Sequence, residues 1–370
     1  MPLIMEKISQ NVNNLDSITL ASIMKLIRYS DCIHCKEEFK ILLNSLHDII
    51  PKLSLQCLIH IAHAFGSLHV YDEILTKKII ERIITQIQVA RLKDIERIIF
   101  SICTIAPNNI NYYTDVCQKL INEIITTYKT SRAHEIENFP TTLVRILTFL
   151  TMKNIYIPEL IQYVFEPKFM QKVYKNNFKL ITNEWLVLHC SIEIEMPCYK
   201  KPMLNNNMYK YLTKKFSHND DIYRKDNIIK LRTEIVFLCK EKLRINIYID
   251  YVLPHYPSRE IILGMDKYNN SVNIEPILSA MQTGTIKSVK SDKLKNINWK
   301  ILMILPYLGK ILGHDDCNGY VQRQFRQLKA IGYKPILICE YKWNSYTQDQ
   351  KIKYLKELIY QNTHHDFSKI

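Results

Sequence analysis

Four residues in the first 60 positions have the types and spacing of a metal site. Cys32 and Cys35 are separated by two residues, and Cys57 and His60 repeat that spacing. Thiolate and imidazole groups in such pairs bind zinc. The gap between the two pairs is longer than in common zinc fingers, and both pairs lie in sequence of helical periodicity. We therefore interpret them as buried thiols and packed histidines, and we expect no metal site.

The sequence lacks the motifs of phosphoryl and acyl transfer. It contains no glycine-rich nucleotide loop, no HRD or DFG sequence of protein kinases and no nucleophile elbow. Only 7 residues are glycine, and Gly66 is the one that precedes position 264. A glycine-rich phosphate loop cannot be built from so few glycines. We therefore expect no kinase activity and no cofactor.

Basic residues are concentrated in the C-terminal half. The 370 residues carry 50 Lys+Arg and 36 Asp+Glu, a net charge of +14. Residues 1–167 are neutral, 168–250 carry +7, 251–285 carry −1 and 286–370 carry +8. Lysine and arginine supply most of the sequence-independent affinity for nucleic acid, and exposed aromatic side chains stack on unpaired bases. This pattern favours RNA as the partner.

Eight residues are the predicted RNA contacts. A predicted helix places three basic residues on one side, and a second basic group follows residue 199. Two aromatic residues near the C-terminus are candidates for stacking, with core packing as their alternative. For the lysines the alternative is a solvated surface. The predicted contacts are Arg323, Arg326 and Lys329, then Lys200, Lys201 and Lys210, and the aromatic Tyr333 and Trp343.

The N-terminal half has the pattern of paired amphipathic helices. Four segments, 15–50, 53–87, 92–125 and 139–166, repeat apolar residues at i, i+3 and i+4. The starts at Leu15, Leu53 and Leu92 give a period typical of helical repeats. The sequence therefore predicts an α-rich, solenoid-like array. Because the internal similarity is weak, an irregular helical bundle is the alternative.

The C-terminal residues change to a pattern of strands and helices. Residues 299–305 and 333–340 are apolar runs typical of buried strands, and 320–331 and 347–360 have helical periodicity. Gly332 lies where a helix end needs a left-handed residue. The sequence predicts a small parallel or mixed α/β layer. No apolar run approaches the 18 residues of a membrane span, so we expect none.

Several segments resemble motifs of a known family. QLKAIGY at 327–333, YKWN at 341–344 and KIKYL at 351–355 closely resemble the RAP domain. That domain is the C-terminal domain of proteins of the Fas-activated serine/threonine kinase (FASTK) family. IEIEMPCYKKP at 192–202 looks like the signature of the family's second FAST-type module. The preceding helical pairs are similar to the first such module.

The resemblance implies a domain order and a function. The expected domains are helical repeats with the first FAST-type module at 1–167, the second module at 168–265, a linker at 266–297, the RAP domain at 298–360 and a tail at 361–370. FASTK proteins are mitochondrial RNA regulators. The resemblance therefore implies a binding protein for transcripts in the matrix and RNA granules that acts on their processing, stability or expression, with RNA-processing proteins as further partners. The N-terminus shows no presequence.

Two alternatives remain open. The RAP domain resembles the restriction-endonuclease-like fold, whose sites hold Mg²⁺ through carboxylates and a lysine. The first predicted strand ends without an acidic residue, which leaves Asp315, Asp316 and Glu340 as candidates for an endoribonuclease or a degenerate nuclease. Because that set is incomplete, we expect binding rather than catalysis. The second alternative is a protein-interaction scaffold built from the neutral helical half.

Overall fold

A computed structural model describes residues 2–30, 36–175, 177–217 and 226–360. Cys32, Cys35 and the predicted tail lie outside the described residues. The chain divides into two compact units. The helical unit comprises Met1–Val164 and Lys310–Tyr320, and the mixed unit comprises Phe165–Gly309 and Val321–Ile370.

The helical unit consists of helices connected by short turns. Its described helices are α1 (Pro2–Asn11), α2 (Ser17–Tyr29), α3 (Lys36–Leu46), α4 (Leu55–Leu68), α5 (Glu73–Ile84), α6 (Leu92–Ile105), α7 (Asn111–Thr127), α8 (Ala133–Asn138), α9 (Pro140–Leu150) and α10 (Pro158–Phe165). The predicted pairs correspond to α2–α3, α4–α5, α6–α7 and α9–α10.

The first helices of successive pairs stack on one another. Helix α2 packs on α4, α4 on α6, and α6 on α9. Equivalent side chains cap α2 and α4, because Asp16 accepts from the amides of Ile18 and Thr19, and Ser54 accepts from that of Cys57. The predicted helical repeat array is confirmed.

A buried carboxylate connects neighbouring repeats. Asp94 of α6 is fully buried and accepts hydrogen bonds from Arg91, Arg97 and, in the preceding repeat, Gln56. Burial alone would raise the pKa of Asp94. The hydrogen bonds from Arg91 and Gln56 and the neighbouring positive charges outweigh burial and lower this pKa. The network therefore holds a charged aspartate between α4 and α6.

The segment Lys310–Tyr320 belongs to the helical unit. The amide of Tyr71 donates to the Leu312 carbonyl at 2.8 Å, and the Leu312 amide donates to the His69 carbonyl at 2.8 Å. Gly313 has φ +89°, and a Cβ at this position would lie 2.2 Å from the Tyr71 carbonyl oxygen. Glycine is required there because the backbones approach too closely for any side chain.

The mixed unit combines helices with a five-stranded sheet. Its described helices are α11 (Pro167–Tyr174), α12 (Asn183–Glu195), α13 (Asn206–Ser217), α14 (Asp226–Phe237), α15 (Glu275–Ser279), α16 (Gly319–Ala330, whose first two residues count with the helical unit), α17 (Glu340–Ser345) and α18 (Gln348–Tyr360). The strands are β1 (Tyr248–Asp250), β2 (Glu260–Met265), β3 (Ser271–Val272), β4 (Asn298–Leu305) and β5 (Lys334–Cys339).

The sheet is mixed, with the order β1-β2-β4-β5 and β3 paired to the end of β2. Strands β4 and β5 are parallel, and β2 is antiparallel to β4. Helix α16 connects the parallel strands, and Gly332 after it has φ +104°. The predicted strand–helix–strand order and the left-handed glycine are confirmed.

One face of the sheet forms the main core of the mixed unit. Alternate residues of β2 and β5 point into it, as the period of two requires. Helices α14, α17 and α18 cover that face, with Trp343 and Leu355 fully buried. Strand β2 is buried at all six positions, as is typical of an inner strand.

One local feature differs from the sequence prediction. The predicted linker, 266–297, contains β3 and connects β2 with its sheet partner β4. The sheet therefore crosses the predicted boundary of the RAP domain. Within the part of the chain that the structure describes, no helix is long and apolar enough to span a bilayer.

Candidate nucleic-acid interface

Arg323 of α16 points into the mixed unit. Its side chain is buried, and its Nε donates to the Tyr256 hydroxyl at 2.8 Å. The guanidinium also lies over the Tyr256 ring, 5.4 Å from the centroid. In this structure Arg323 stacks on a buried tyrosine and does not face solvent, so its predicted phosphate contact stays a prediction that would need a rearranged side chain.

Arg326 forms an ion pair with α12. Its Nε lies 2.5 Å from Oε1 of Glu195, whose side chain is 5% exposed. Gln327 donates to the same carboxylate at 3.1 Å and to Ser191 Oγ at 2.9 Å. These residues form a polar cluster that holds α16 against α12.

His255 completes the polar cluster. Its Nε2 lies 2.8 Å from Oε1 of Gln327. Burial lowers the pKa of His255 to about 3, and the charge of Arg323 acts in the same direction. The ring is therefore neutral at physiological pH, and the cluster contains one buried carboxylate and two arginines.

Lys329 is the exposed member of the three basic residues predicted on α16. Its amino group lies 4.6 Å from the centroid of the Phe325 ring. Successive helical residues are rotated by about 100°, so positions 323, 326 and 329 span about a third of the circumference. Tyr256 and α12 cover the part of that arc that carries Arg323 and Arg326.

The two aromatic candidates are packed in the interior. Tyr333 is 2% exposed and donates from its hydroxyl to the Lys287 carbonyl at 3.0 Å. Trp343 is fully buried and donates from Nε1 to Glu234 at 2.7 Å. In this structure the packing alternative describes both side chains, and base stacking on them stays a prediction.

The second group of basic candidates is exposed. Lys200 and Lys201 lie in the turn after α12, and Lys210 lies on α13. The amino group of Lys200 donates to the Pro197 carbonyl at 3.4 Å. Their positions leave them accessible to a phosphate backbone, so their RNA contacts stay a prediction.

The candidate nuclease residues make other contacts. Oδ1 of Asp315 lies 3.9 Å from the Lys310 amino group, and the Asp316 backbone amide donates to Nδ1 of His314 at 2.8 Å. Glu340, in the mixed unit, accepts from the Tyr307 amide at 2.9 Å. Across residues 2–30, 36–175, 177–217 and 226–360, no group of three His, Cys, Asp or Glu side chains could hold a metal ion.

The mixed unit contains a cleft of about 860 Å³ at one end of the sheet. It lies where β4 and β5 begin and β2 ends, since Met265 pairs with Asn298. Three lysines and an exposed tyrosine stand out in its lining: Lys267, Tyr268, Lys295 and Lys334. The volume is in the range of ligand-binding clefts, and the lysines give it a positive charge. We call it the lysine cleft.

Two lysines face each other across strands beside the lysine cleft. Lys300 of β4 and Lys334 of β5 are paired in register. Lys300 is buried, and its amino group donates to the Ile359 carbonyl. Burial, and then the charge of Lys334, lower the pKa of Lys300. Like charges on adjacent strands repel, so an anion bound in the cleft would relieve this repulsion.

A tight turn presents Tyr268 to solvent. Asp266 accepts from the amides of Tyr268 and Asn270 and from the Asn270 side chain. The hydrogen bonds from Asn270 are the main reason that the pKa of Asp266 is lowered. Asn269 takes φ +64°, a conformation that asparagine tolerates. Tyr268 is 72% exposed, and the amino group of Lys267 lies 4.9 Å from its ring centroid.

The sequence prediction missed this cleft. Its lining comes from the 266–269 turn, residues 295–299 and residues 332–334, which strand pairing brings together. The turn composition of Asp266 through Asn270 was the one signal in the sequence, because these residue types favour tight turns. It lay within the predicted linker.

Comparisons with known proteins agree with the fold of the C-terminal residues. The RAP domain family matches residues 310–358. The chain is 25% identical over 265 residues to "FAST kinase domain-containing protein 5, mitochondrial" of Mus musculus. This alignment covers 69% of the chain and 33% of the relative. The proteins of the same name from Macaca fascicularis and Homo sapiens are 24% and 23% identical over 319 and 323 residues. The chain thus contains a match to the RAP domain and is similar to mitochondrial FAST kinase domain-containing proteins.

The chain matches only part of each relative. The matches to the Macaca fascicularis and Homo sapiens proteins cover 82% of this chain and 39% of the relative. The chain thus spans between a third and two fifths of the length of the relatives it matches. The RAP family match, residues 310–358, includes strand β5, which begins at Lys334 of the lysine cleft.

Proposed function

We propose that this chain belongs to the FASTK family, binds RNA in mitochondria and acts on the processing, stability or expression of mitochondrial transcripts. The lysine cleft is the observation that carries the proposal. The RAP domain and the relatives, whose names include the word mitochondrial, support the partner and the compartment. The matrix and its RNA granules, and RNA-processing proteins as partners, belong to the same proposal.

The mechanism is electrostatic attachment of the RNA backbone. Lys267, Lys295 and Lys334 neutralise phosphates at the end of the sheet, and the release of condensed counterions drives binding. The Asp266 carboxylate, which the turn amides hold in its charged form, offsets part of this attraction and leaves a net positive charge. The exposed Lys200, Lys201, Lys210 and Lys329 would add further phosphate contacts elsewhere on the mixed unit.

Charge reversal in the lysine cleft tests the proposal. The variant Lys267→Glu/Lys295→Glu/Lys334→Glu is titrated against a labelled mitochondrial transcript fragment at several salt concentrations. We expect weaker binding, and we expect the slope of log affinity against log salt to fall by about 2, since each phosphate contact on a single strand contributes about 0.7.

A matched control changes the same total charge in the helical unit. Lys7, Lys52 and Lys119 are exposed there, and Lys7→Glu/Lys52→Glu/Lys119→Glu should keep the wild-type salt slope. Equal losses of affinity in the two triple variants would contradict the cleft as the binding site. A protein-binding role for the helical unit stays a prediction beside this proposal.

A further inference from the structure

A second basic cleft, of about 500 Å³, lies at the same end of the sheet. Its lining includes Lys240, Arg244, Tyr248 and Asn273. Tyr248 pairs with Ile262, three residues before Met265 at the lysine cleft. The two clefts are therefore offset along β2 by about 10 Å, the length of three strand residues. We call this the arginine cleft.

The turn and strand that present Tyr268 connect the two clefts. The 266–269 segment lines the lysine cleft, β3 follows it, and Asn273 then lines the arginine cleft. Tyr268 therefore lies on a short segment, residues 266–273, that borders the lysine cleft at one end and the arginine cleft at the other. A ligand that occupied both clefts would cross this segment.

The arginine cleft has an unusual backbone. A π-helical turn, Leu238–Lys242, places Lys240 beside it, and Arg244 adopts φ +55°. Both conformations are uncommon and are concentrated at functional sites. The Ile245 amide donates to the Cys239 carbonyl at 2.9 Å, and the Asn246 amide donates to Ser271 Oγ at 2.7 Å. These bonds hold the strained segment in place and join it to β3.

Both clefts favour an anionic ligand. Lys240 and Arg244 exceed the single acidic residue of the arginine cleft, Glu275. In the lysine cleft three lysines exceed Asp266, and Lys295 also pairs with Asp292, which lies outside the lining, so the net charge stays positive. A polyanion that also carries aromatic rings fits two cationic clefts separated by an exposed tyrosine.

We infer that the two clefts form one site for an unpaired RNA strand, with phosphates in each cleft and a base stacked on Tyr268. The inference rests on the proposed RNA binding and specifies the class of RNA. In a duplex the faces of the bases are covered by their neighbours, so Tyr268 could stack only on an unpaired base. Base stacking on an exposed aromatic side chain tolerates any sequence.

Tyr268 variants test the inference on the full chain. Fluorescence anisotropy compares an unstructured 12-nucleotide RNA with a 12-base-pair RNA duplex. Tyr268→Ala should weaken binding of the unpaired strand by about 5- to 150-fold, the range for loss of one stacked base. Tyr268→Phe, which keeps the ring, should stay near wild type, and duplex binding should be the same in all three proteins.

A second variant tests the arginine cleft. Lys240→Glu/Arg244→Glu should weaken binding of the 12-nucleotide RNA more than that of a 4-nucleotide RNA, because a short strand fits within the lysine cleft alone. Equal weakening with both lengths would contradict a continuous site. Tryptophan fluorescence on urea unfolding checks that each variant is folded.

The failure of this inference differs from the failure of the proposed function. If Lys267→Glu/Lys295→Glu/Lys334→Glu loses RNA but Tyr268→Ala binds both RNAs normally, the stacking site is wrong and RNA binding at the cleft stands. If Tyr268→Ala weakens duplex and unpaired strand equally, selectivity for unpaired RNA is also wrong. If none of these variants changes binding, both the site and the proposed function at it are wrong.

Discussion

Arg326→Gln should destabilise the mixed unit and leave RNA affinity nearly unchanged. The substitution removes the guanidinium that lies 2.5 Å from Glu195, whose side chain is 5% exposed. Removing one partner of a buried ion pair costs about 3–5 kcal/mol. The Arg326 side chain is 31% exposed, so water can reach part of the site, and we expect a loss of about 2–3 kcal/mol in the free energy of unfolding.

Tryptophan fluorescence is suited to this measurement. The three tryptophans of the chain, Trp185, Trp299 and Trp343, all belong to the mixed unit. Urea unfolding followed by their emission therefore reports the unit that contains the ion pair. The double variant Glu195→Gln/Arg326→Gln should recover about 1–2 kcal/mol relative to Arg326→Gln alone, because it removes the buried charge.

Two results would refute this reasoning. The first is a loss below about 0.5 kcal/mol for Arg326→Gln, the size expected for an ordinary surface substitution. The second is unchanged stability together with a tenfold loss of RNA affinity. That result would make Arg326 a phosphate contact, as its position in the sequence first suggested.

Three further predictions concern stability. Burial lowers the pKa of His189 to about 4 and of His255 to about 3, so the unfolded chain binds up to two more protons than the folded chain as pH falls below 6.5. The mixed unit should therefore lose up to about 2–3 kcal/mol of unfolding free energy per pH unit in urea titrations between pH 6 and 5. The variant His255→Gln should reduce that slope, and an equal slope would contradict the burial of His255. Gly313→Ala should lower the melting temperature of the helical unit by circular dichroism, because its Cβ would meet the Tyr71 carbonyl; no change would mean that residues 310–320 do not dock there. Trp343→Ala should cost the mixed unit about 3–5 kcal/mol of unfolding free energy, as for other buried tryptophans, and a loss under 1 kcal/mol would argue against its burial.

The regular elements could be predicted because their signals are local. The apolar residues of α4 and α6 recur at helical spacing, and the residue after α16, Gly332, marks its end. Strand β2 escaped prediction because a short apolar run that is buried on both faces has no alternating pattern. Strand β2 is defined by its pairing with β4, which starts more than 30 residues later, and a local pattern does not show that pairing.

The contacts of α16 could not be predicted from its own sequence. Spacing shows which side chains share a side of a helix, but it does not show which side faces a partner. Arg323 and Arg326 find their partners, Tyr256 and Glu195, 67 and 131 positions earlier in the chain. The lysine cleft has the same origin, since strand pairing collects its lysines from three separate segments.

Ultraviolet crosslinking of the purified full chain to an unstructured RNA tests the central claim most directly. Mass spectrometry then identifies the peptides that carry nucleotide adducts. The lysine cleft predicts adducts on the peptides that contain Tyr268, Lys295 and Lys334, with Tyr268 itself as a modified residue. Adducts confined to residues 1–164, with those peptides unmodified, would contradict RNA binding at the end of the sheet.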